Sequence, residues 1–454
     1  MLPPPPDPQG PNGFFGLPSI WSNVRSPFEN GVVGRWEGEV ADLVVFGEIP
    51  KQLNGTFYRI MVDPFYPLQE GNAPIEGDGN ICALRINDGR VDLKVRYVDT
   101  ERLRLERQAN KRLFGLYRNP FSHHPCVRAA VDSTANTNLV YWAGKLLALK
   151  ESAQPYEVHP DTLETLSYDP FKSPGKTFSA HPKVDPYTGE LVVFGYEAKG
   201  LGTDDIVIYA LDKQGVIHDE QWIKSPWPAF IHDCAITPNF IILVLWPYDA
   251  DVKHMKNGNQ HWTYNRDRPA TFIIAPATPT TSPPTRRRAS QSGETKLYFK
   301  SSRIFYSVFP VIGPPTNKPF RDFQADYVRW EINLTQPTNT RVVEPTVILD
   351  MPGEMAMVDE RFLTRPYDKL FCPVIPPGKQ GPIPPILPIG LHTYTMLDKP
   401  SSKVDLSKDA PEGDGWVLGM IQRMDVNRSD LVVLDTKDFA KPVAVVQLPF
   451  RIKG

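Results

Sequence analysis

The sequence predicts an all-β chain arranged as a propeller, and three observations lead there. Proline and glycine punctuate the whole length, long apolar stretches of helical period are scarce, and short β-type runs recur in groups. Prolines number 48 in 454 residues, about twice the usual share of ~5%. Each fixes φ and removes a backbone donor, which interrupts helices and confines strands to short pieces. Strong strands begin near Leu139, Leu191 and Ile241, about 50 residues apart, with several strands in each interval. Four-stranded units at a period of ~40–50 residues mark a propeller. A large β-sandwich is the structural alternative.

Taken in order, residues 1–12 open with Met1-Leu-Pro-Pro-Pro-Pro-Asp and are expected to be mobile. They show neither a basic start nor an apolar stretch, so no signal peptide is read there. Residues 43–49, 56–60, 82–86, 91–98, 139–142 and 146–149 are β-type runs bounded by turn residues. Asp88-Gly89 joins two of them as a hairpin, since both residues tolerate positive φ. Ala143-Gly144-Lys145 joins the next pair. Residues 277–292 are low in complexity and are expected to form a disordered surface loop. Residues 373–389 are dense enough in proline to forbid central strands. None of these segments reads as a domain boundary, so 1–454 is taken as one domain.

Charge excludes some functions. With 50 basic and 52 acidic residues the formal net charge is −2. No field of one sign exists to attract nucleic acid or an anionic membrane. The four cysteines, Cys82, Cys126, Cys234 and Cys372, lie far apart with no CxxC pair. That spacing suits free thiols rather than a disulfide scaffold or a structural zinc site. The longest strongly apolar run, 240–246, is far too short to span a bilayer. A cytoplasmic location is expected.

Chemistry is sought among the nine histidines. His181 lies ten residues before Leu191 and His232 nine before Ile241, equivalent places in successive repeats. Equivalent positions in neighbouring blades are related by rotation about the axis, so both rings would point towards it. Neutral imidazoles meeting at one point are good ligands for Fe, Zn or Cu. The other reading, two separately satisfied histidines at blade edges, stays open on spacing alone.

Four stretches narrow it: Asn54-Gly-Thr-Phe-Tyr-Arg59, Glu76-Gly-Asp-Gly79, Ala180-His-Pro-Lys-Val-Asp-Pro-Tyr-Thr-Gly-Glu-Leu191 and Phe230-Ile-His-Asp233. In this order they resemble the carotenoid cleavage oxygenases. The resemblance runs from about Ile20 to the C-terminus. It implies a seven-bladed β-propeller with a loop-rich cap over an axial iron. In that family four histidines from different blades hold one Fe(II), and O2 and an alkene give two carbonyl products without haem or an organic cofactor. His181 and His232 match two of the ligands. Glu151 and Glu354 match the carboxylates that accept the remaining histidine N–H and so fix its tautomer. Alone, either glutamate would read as a solvated surface charge.

Tyr117 and Lys150 resemble a pair found in the stilbene-cleaving branch, the lignostilbene and resveratrol dioxygenases. There the two side chains bind a 4′-hydroxyl. A phenol beside an ammonium and a second phenol gains phenolate character, and its electron density, pushed through the conjugated system, activates the alkene. Without that resemblance they would be a buried lysine beside a carboxylate and a core tyrosine. The function implied is oxidative cleavage of a hydroxystilbene, or a related apocarotenoid, to two aldehydes, with Fe(II) as cofactor and O2 as co-substrate.

The chain also departs from the family pattern. The third iron histidine should follow the strand at 270–276, yet no histidine occurs between His261 and His392. The fourth should stand in a His-Gly turn after the last strand, and the chain ends at Gly454 before it. A third orienting glutamate, expected before Ala410, is unmatched. The last blade is therefore expected to be incomplete. His123 and His124 fall in a surface-like loop; His159, His218, His254, His261 and His392 have no repeat-equivalent place and are not read as ligands. The alternative function is a degenerate family member or incomplete gene product, which binds a ligand or partner without turnover.

Overall fold

The computed structural model of the chain describes residues 28–29, 32–33 and 35–452, apart from 70–71, 174, 266, 278–295, 305–324, 350–355, 372–409 and 424–425. The segments expected to be mobile at 1–12 and 373–389, and all but Ala277 of 277–292, lie outside the described residues. So does Glu354.

The described chain is a β-propeller made of antiparallel sheets. A short hairpin, β1 (Phe28–Glu29) and β2 (Val32–Val33), comes first. Then follow β3 (Gly38–Val40), β4 (Val44–Gly47), β5 (Gly55–Asp63), β6 (Asp78–Asn87) and β7 (Arg90–Tyr97). Of these, β3-β7-β6-β5 form the first blade. Asp88 and Gly89 have φ of 47° and 75°, the pair of positive values a two-residue hairpin requires to match strand twist. Helix α1 (Glu101–Ala109) is capped by Thr100, whose hydroxyl accepts from the Leu103 N–H at 3.1 Å.

The second blade is β8 (Asn138–Trp142), β9 (Lys145–Leu149), β10 (Tyr156–Val158) and β11 (Thr165–Tyr168). The third is β12 (Lys183–Asp185), β13 (Glu190–Gly195), β14 (Asp205–Leu211) and β15 (Ile217–Lys224). In the fourth, the long β18 (Phe240–Ala250) carries β17 (Cys234–Ile236) and β20 (Thr271–Pro276) on its first half. Its second half carries β16 (Ala229–Phe230) and β19 (Trp262–Tyr264), with helix α2 (Val252–Lys256) between. The fifth sheet is β21 (Lys296–Ile304), β22 (Ala325–Asn333) and β23 (Thr346–Leu349). The last is β24 (Trp416–Arg423), β25 (Arg428–Asp435) and β26 (Asp438–Gln447), to which β4 adds a fourth strand.

The expectation of an incomplete last blade is thereby corrected. Val446 pairs with Val45 and Ala444 with Gly47, so the N-terminal strand completes the C-terminal sheet. Besides the β1-β2 hairpin, six sheets are seen among the described residues, and 350–415, between β23 and β24, falls mostly outside them.

Packing follows from the two-residue period of a strand. In β9, Leu146 and Ala148 pack with Tyr58, Ile81 and Ala83 of the first blade. Leu147 and Leu149 face the other way, onto Leu191 and Val193 of the third. In β13 the alternation repeats: Val192 and Phe194 turn towards the fourth blade. Each middle sheet is buried on both faces, and the core is a series of interleaves between blades. No helix of the described residues is long and apolar enough to cross a membrane.

Candidate metal centre

The inner edge of the fourth blade is one strand interrupted. β16 and β17 pair with successive parts of β18, and residues 231–233 between them leave the ladder. His232 stands in that gap, two residues before β17. His181 stands two residues before β12, the equivalent place one blade earlier. The two imidazoles meet, Nε2 to Nε2 at 3.2 Å, with ring planes 67° apart.

Behind His232 lies Glu151, two residues past the end of β9. Its Oε1 is 2.6 Å from His232 Nδ1. A carboxylate can only accept, so Nδ1 carries the proton and Nε2 presents its lone pair towards His181. Burial alone would raise the Glu151 carboxyl. The bond and charge of His232, then Lys150 and His181, outweigh it and hold the group well below the carboxylate range. For His181, burial first and then repulsion from His232 press its pKa down to about 4. Its ring is neutral near pH 7, with a nitrogen free to coordinate.

The arrangement fits a cation. Two lone-pair nitrogens at 3.2 Å are set as two ligands of one ion at ~2.1 Å each would be. The candidate ligand atoms of Glu151, His181 and His232 all lie within 4.8 Å of one another. Neutral imidazoles backed by an orienting carboxylate suit a divalent transition metal.

On the other side of Glu151 is the pair Lys150 and Tyr117. Successive residues of an extended chain point to opposite sides. Accordingly Glu151 reaches His232, while Lys150 reaches Tyr117, its Nζ 4.8 Å from the ring centroid. Both side chains are buried. Burial lowers the Lys150 pKa, against the opposing pull of Glu151. Burial, with Glu151 beside it, raises the Tyr117 hydroxyl well above its usual value, so it stays a proton donor.

Tyr117, Lys150, Glu151, His232 and His181 thus form one continuous chain of contacts. Of the six residues singled out in the sequence, these five come together and Glu354 is outside the described residues. Among the described residues no other histidine converges on His181 and His232, and His392 lies outside the described residues. His123 is a correction: it is buried, with Nε2 3.1 Å from Asp132 and Nδ1 accepting from the Gly115 N–H at 3.0 Å. His218 lies between Asp219 and Glu190, away from the centre.

Sequence reasoning missed the wall behind Tyr117. Phe230, Trp262 and Tyr196 pack edge to face there. His261, fully buried, sits 2.9 Å from the Arg118 carbonyl and 3.1 Å from Glu197. The 143 positions that separate His261 from Arg118 leave no local signal of the contact.

The chain matches the family described as retinal pigment epithelial membrane protein over residues 34–454. It is 49% identical to resveratrol cleavage oxygenase 1 of Botryotinia fuckeliana (strain B05.10), over 98% of this chain and 87% of that protein. With lignostilbene-alpha,beta-dioxygenase isozyme III of Sphingomonas paucimobilis the identity is 30%, over 94% and 96% of the two chains. The crystal structure of Pseudomonas brassicacearum lignostilbene dioxygenase superposes with a TM-score of 0.81 at 32% identity, covering 94% of this chain and 96% of that one.

Proposed function

Since this chain belongs to the carotenoid oxygenase family, the retinal pigment epithelial membrane protein group, we propose that it cleaves the central double bond of a 4′-hydroxystilbene with O2, giving two aldehydes. The observation that carries this reading is the junction at Lys150 and Glu151. Lys150 stands over the Tyr117 ring, and the next residue, Glu151, backs one of two converging imidazoles. Relatives named for resveratrol and lignostilbene cleavage support the same substrate class.

His181 and His232 would hold Fe(II), which when bound supplies the one-electron chemistry that lets O2 react with an alkene. The chain's own residues do the rest. Glu151 keeps the His232 proton on Nδ1 and the lone pair on Nε2. Tyr117, still protonated, donates to the 4′-oxygen. Lys150 adds positive charge that favours phenolate character there, so electron density moves along the conjugated system to the alkene. Glu354, by its match to the family's motif, would be a second orienting carboxylate.

The test is to incubate the protein with Fe(II), O2 and resveratrol and to follow the two aldehydes by chromatography. Cleavage of resveratrol, with its 4′-methyl ether left intact, is the expected result. No aldehyde at excess Fe(II) would overturn the activity.

A second reading is a propeller that binds its ligand without turnover. It is favoured by the histidine count, since among the described residues only His181 and His232 converge. Retained hydroxystilbene binding with no aldehyde product would decide for it.

A further inference from the structure

Tyr117 is the residue the reading above relies on for the phenol, and nothing so far explains what holds it. The residue after it, Arg118, has φ of +47°, in the left-handed region that carries a steric penalty for any residue with a Cβ. Its carbonyl is met by His261 Nδ1 at 2.9 Å. Its guanidinium is 2.6 Å from Glu197 Oε2. The same Glu197 oxygen is 3.1 Å from His261 Nε2, and the other accepts from the Gly202 N–H at 2.6 Å. The side chains of Arg118, Glu197 and His261, the last two buried, therefore close a ring with the Arg118 carbonyl. Glu197 itself has φ of +48°, so two unfavourable backbone conformations are held within a single network. Strain of that kind persists only where its surroundings over-determine it.

The donors and acceptors add a second point. Both nitrogens of His261 face groups that only accept, a carbonyl and a carboxylate. The ring is thereby held from both sides, between the Arg118 carbonyl and the Glu197 carboxylate. The His261 ring stands edge-on to Tyr117, with centroids 6.5 Å apart.

We propose that His261, Glu197 and Arg118 are positioning residues, which fix the backbone after Tyr117 and so hold its phenol where a substrate hydroxyl would meet it. This rests on the hydroxystilbene reading for the ligand but not for the placement of Tyr117.

The experiment compares the wild type with His261→Asn and Glu197→Gln, both checked for folding by thermal melts. Binding of 4-hydroxystilbene and of 4-methoxystilbene is followed by fluorescence. The expected result is an affinity for the phenol lower by about tenfold in each variant, equal to ~1.4 kcal/mol, with the methyl ether changed less than twofold. In a Tyr117→Phe background, His261→Asn should add nothing. Equal weakening of both ligands, or no weakening of either, would overturn the proposal.

A third readout needs no stilbene. With 3-fluorotyrosine at position 117, the fluorine resonance should shift in His261→Asn and Glu197→Gln. If the wild type binds neither ligand but the resonance shifts, the substrate reading fails and the positioning role stands. An unmoved resonance overturns the positioning role whatever binds.

Discussion

His232 is fixed from behind before anything meets its other nitrogen. The 2.6 Å bond from Nδ1 to Glu151 sets its tautomer, and His181, kept neutral by burial, faces it at 3.2 Å. Replacing Glu151 with Gln keeps the size and removes the charge that makes the imidazole a better base. Affinity for a divalent metal should fall by about 10–100-fold, the usual cost of losing such a partner; a Co(II) titration monitored by absorbance measures it, and unchanged affinity would refute the orienting role. Glu197 gives a pH dependence. Burial would raise its carboxyl, but Arg118 and then His261 outweigh this and lower it from 4.5 to about 2. A depressed folded value stabilises the protein above the unfolded value, by roughly 3 kcal/mol here. That stability is lost as pH falls from ~4.5 through about 2. Urea midpoints of wild type and Glu197→Gln should therefore differ most at pH 7 and approach each other steadily as pH falls from ~4.5 towards about 2, whereas a constant gap would contradict the assignment. The candidate residues His181, His232, Glu151, Lys150 and Tyr117 could be singled out in the sequence because each sits in a short motif or a repeat. Glu197 and His261 meet only through tertiary structure, and no local pattern marks them.

At the scale of elements, two glycines show how differently a turn and a close approach respond to a side chain. Gly89 has φ of +75° and nothing within 4 Å of an added Cβ. Gly89→Ala should cost only the backbone penalty, ~1 kcal/mol. Gly79, in β6, is met by the Ala135 carbonyl oxygen, which a Cβ would approach to 2.2 Å. It also donates to the Thr134 carbonyl at 2.8 Å, tying the first blade to the irregular segment that leads into β8. Gly79→Ala must push that segment away, at roughly 3 kcal/mol or more. Chemical denaturation of the two variants should rank them in this order, and equal losses would show that the 134–135 segment yields freely. The hairpin at 88–89 was readable because its chemistry is local. The spacing of Leu139, Leu191 and Ile241 was readable only in part. Leu139 lies in β8, the first strand of its blade, whereas Leu191 and Ile241 lie in β13 and β18, after a short or interrupted inner edge. That interruption at 231–233 frees His232, and it arises from pairing with β18, which the sequence of the gap does not announce.

For the whole molecule, the last sheet is completed by residues about 400 positions apart, a pairing that no local pattern in the sequence marks. β4 is a short outer strand, yet Val45 turns inward against a core that joins both ends of the chain. Phe57, Leu84 and Leu93 of the first blade share it with Met420, Leu431 and Val446 of the last. Val44 and Phe46, on the opposite face, are exposed. Alternation thus makes Val45 the one side chain of the triplet whose polarity matters. Val45→Asp would set a carboxylate against that core and cost about 2–3 kcal/mol, while Phe46→Asp should cost under ~0.5 kcal/mol. Each blade packs only on its neighbours, so the damage should spread along the ring and fade with distance. Amide hydrogen exchange should quicken in β24–β26 and in β5–β7, and stay slow in β12–β15, with metal binding at His181 and His232 retained. Uniform loss of protection would instead mean that the closed ring unfolds as one cooperative unit, in which the seam at β4 governs the stability of the metal centre on the far blades.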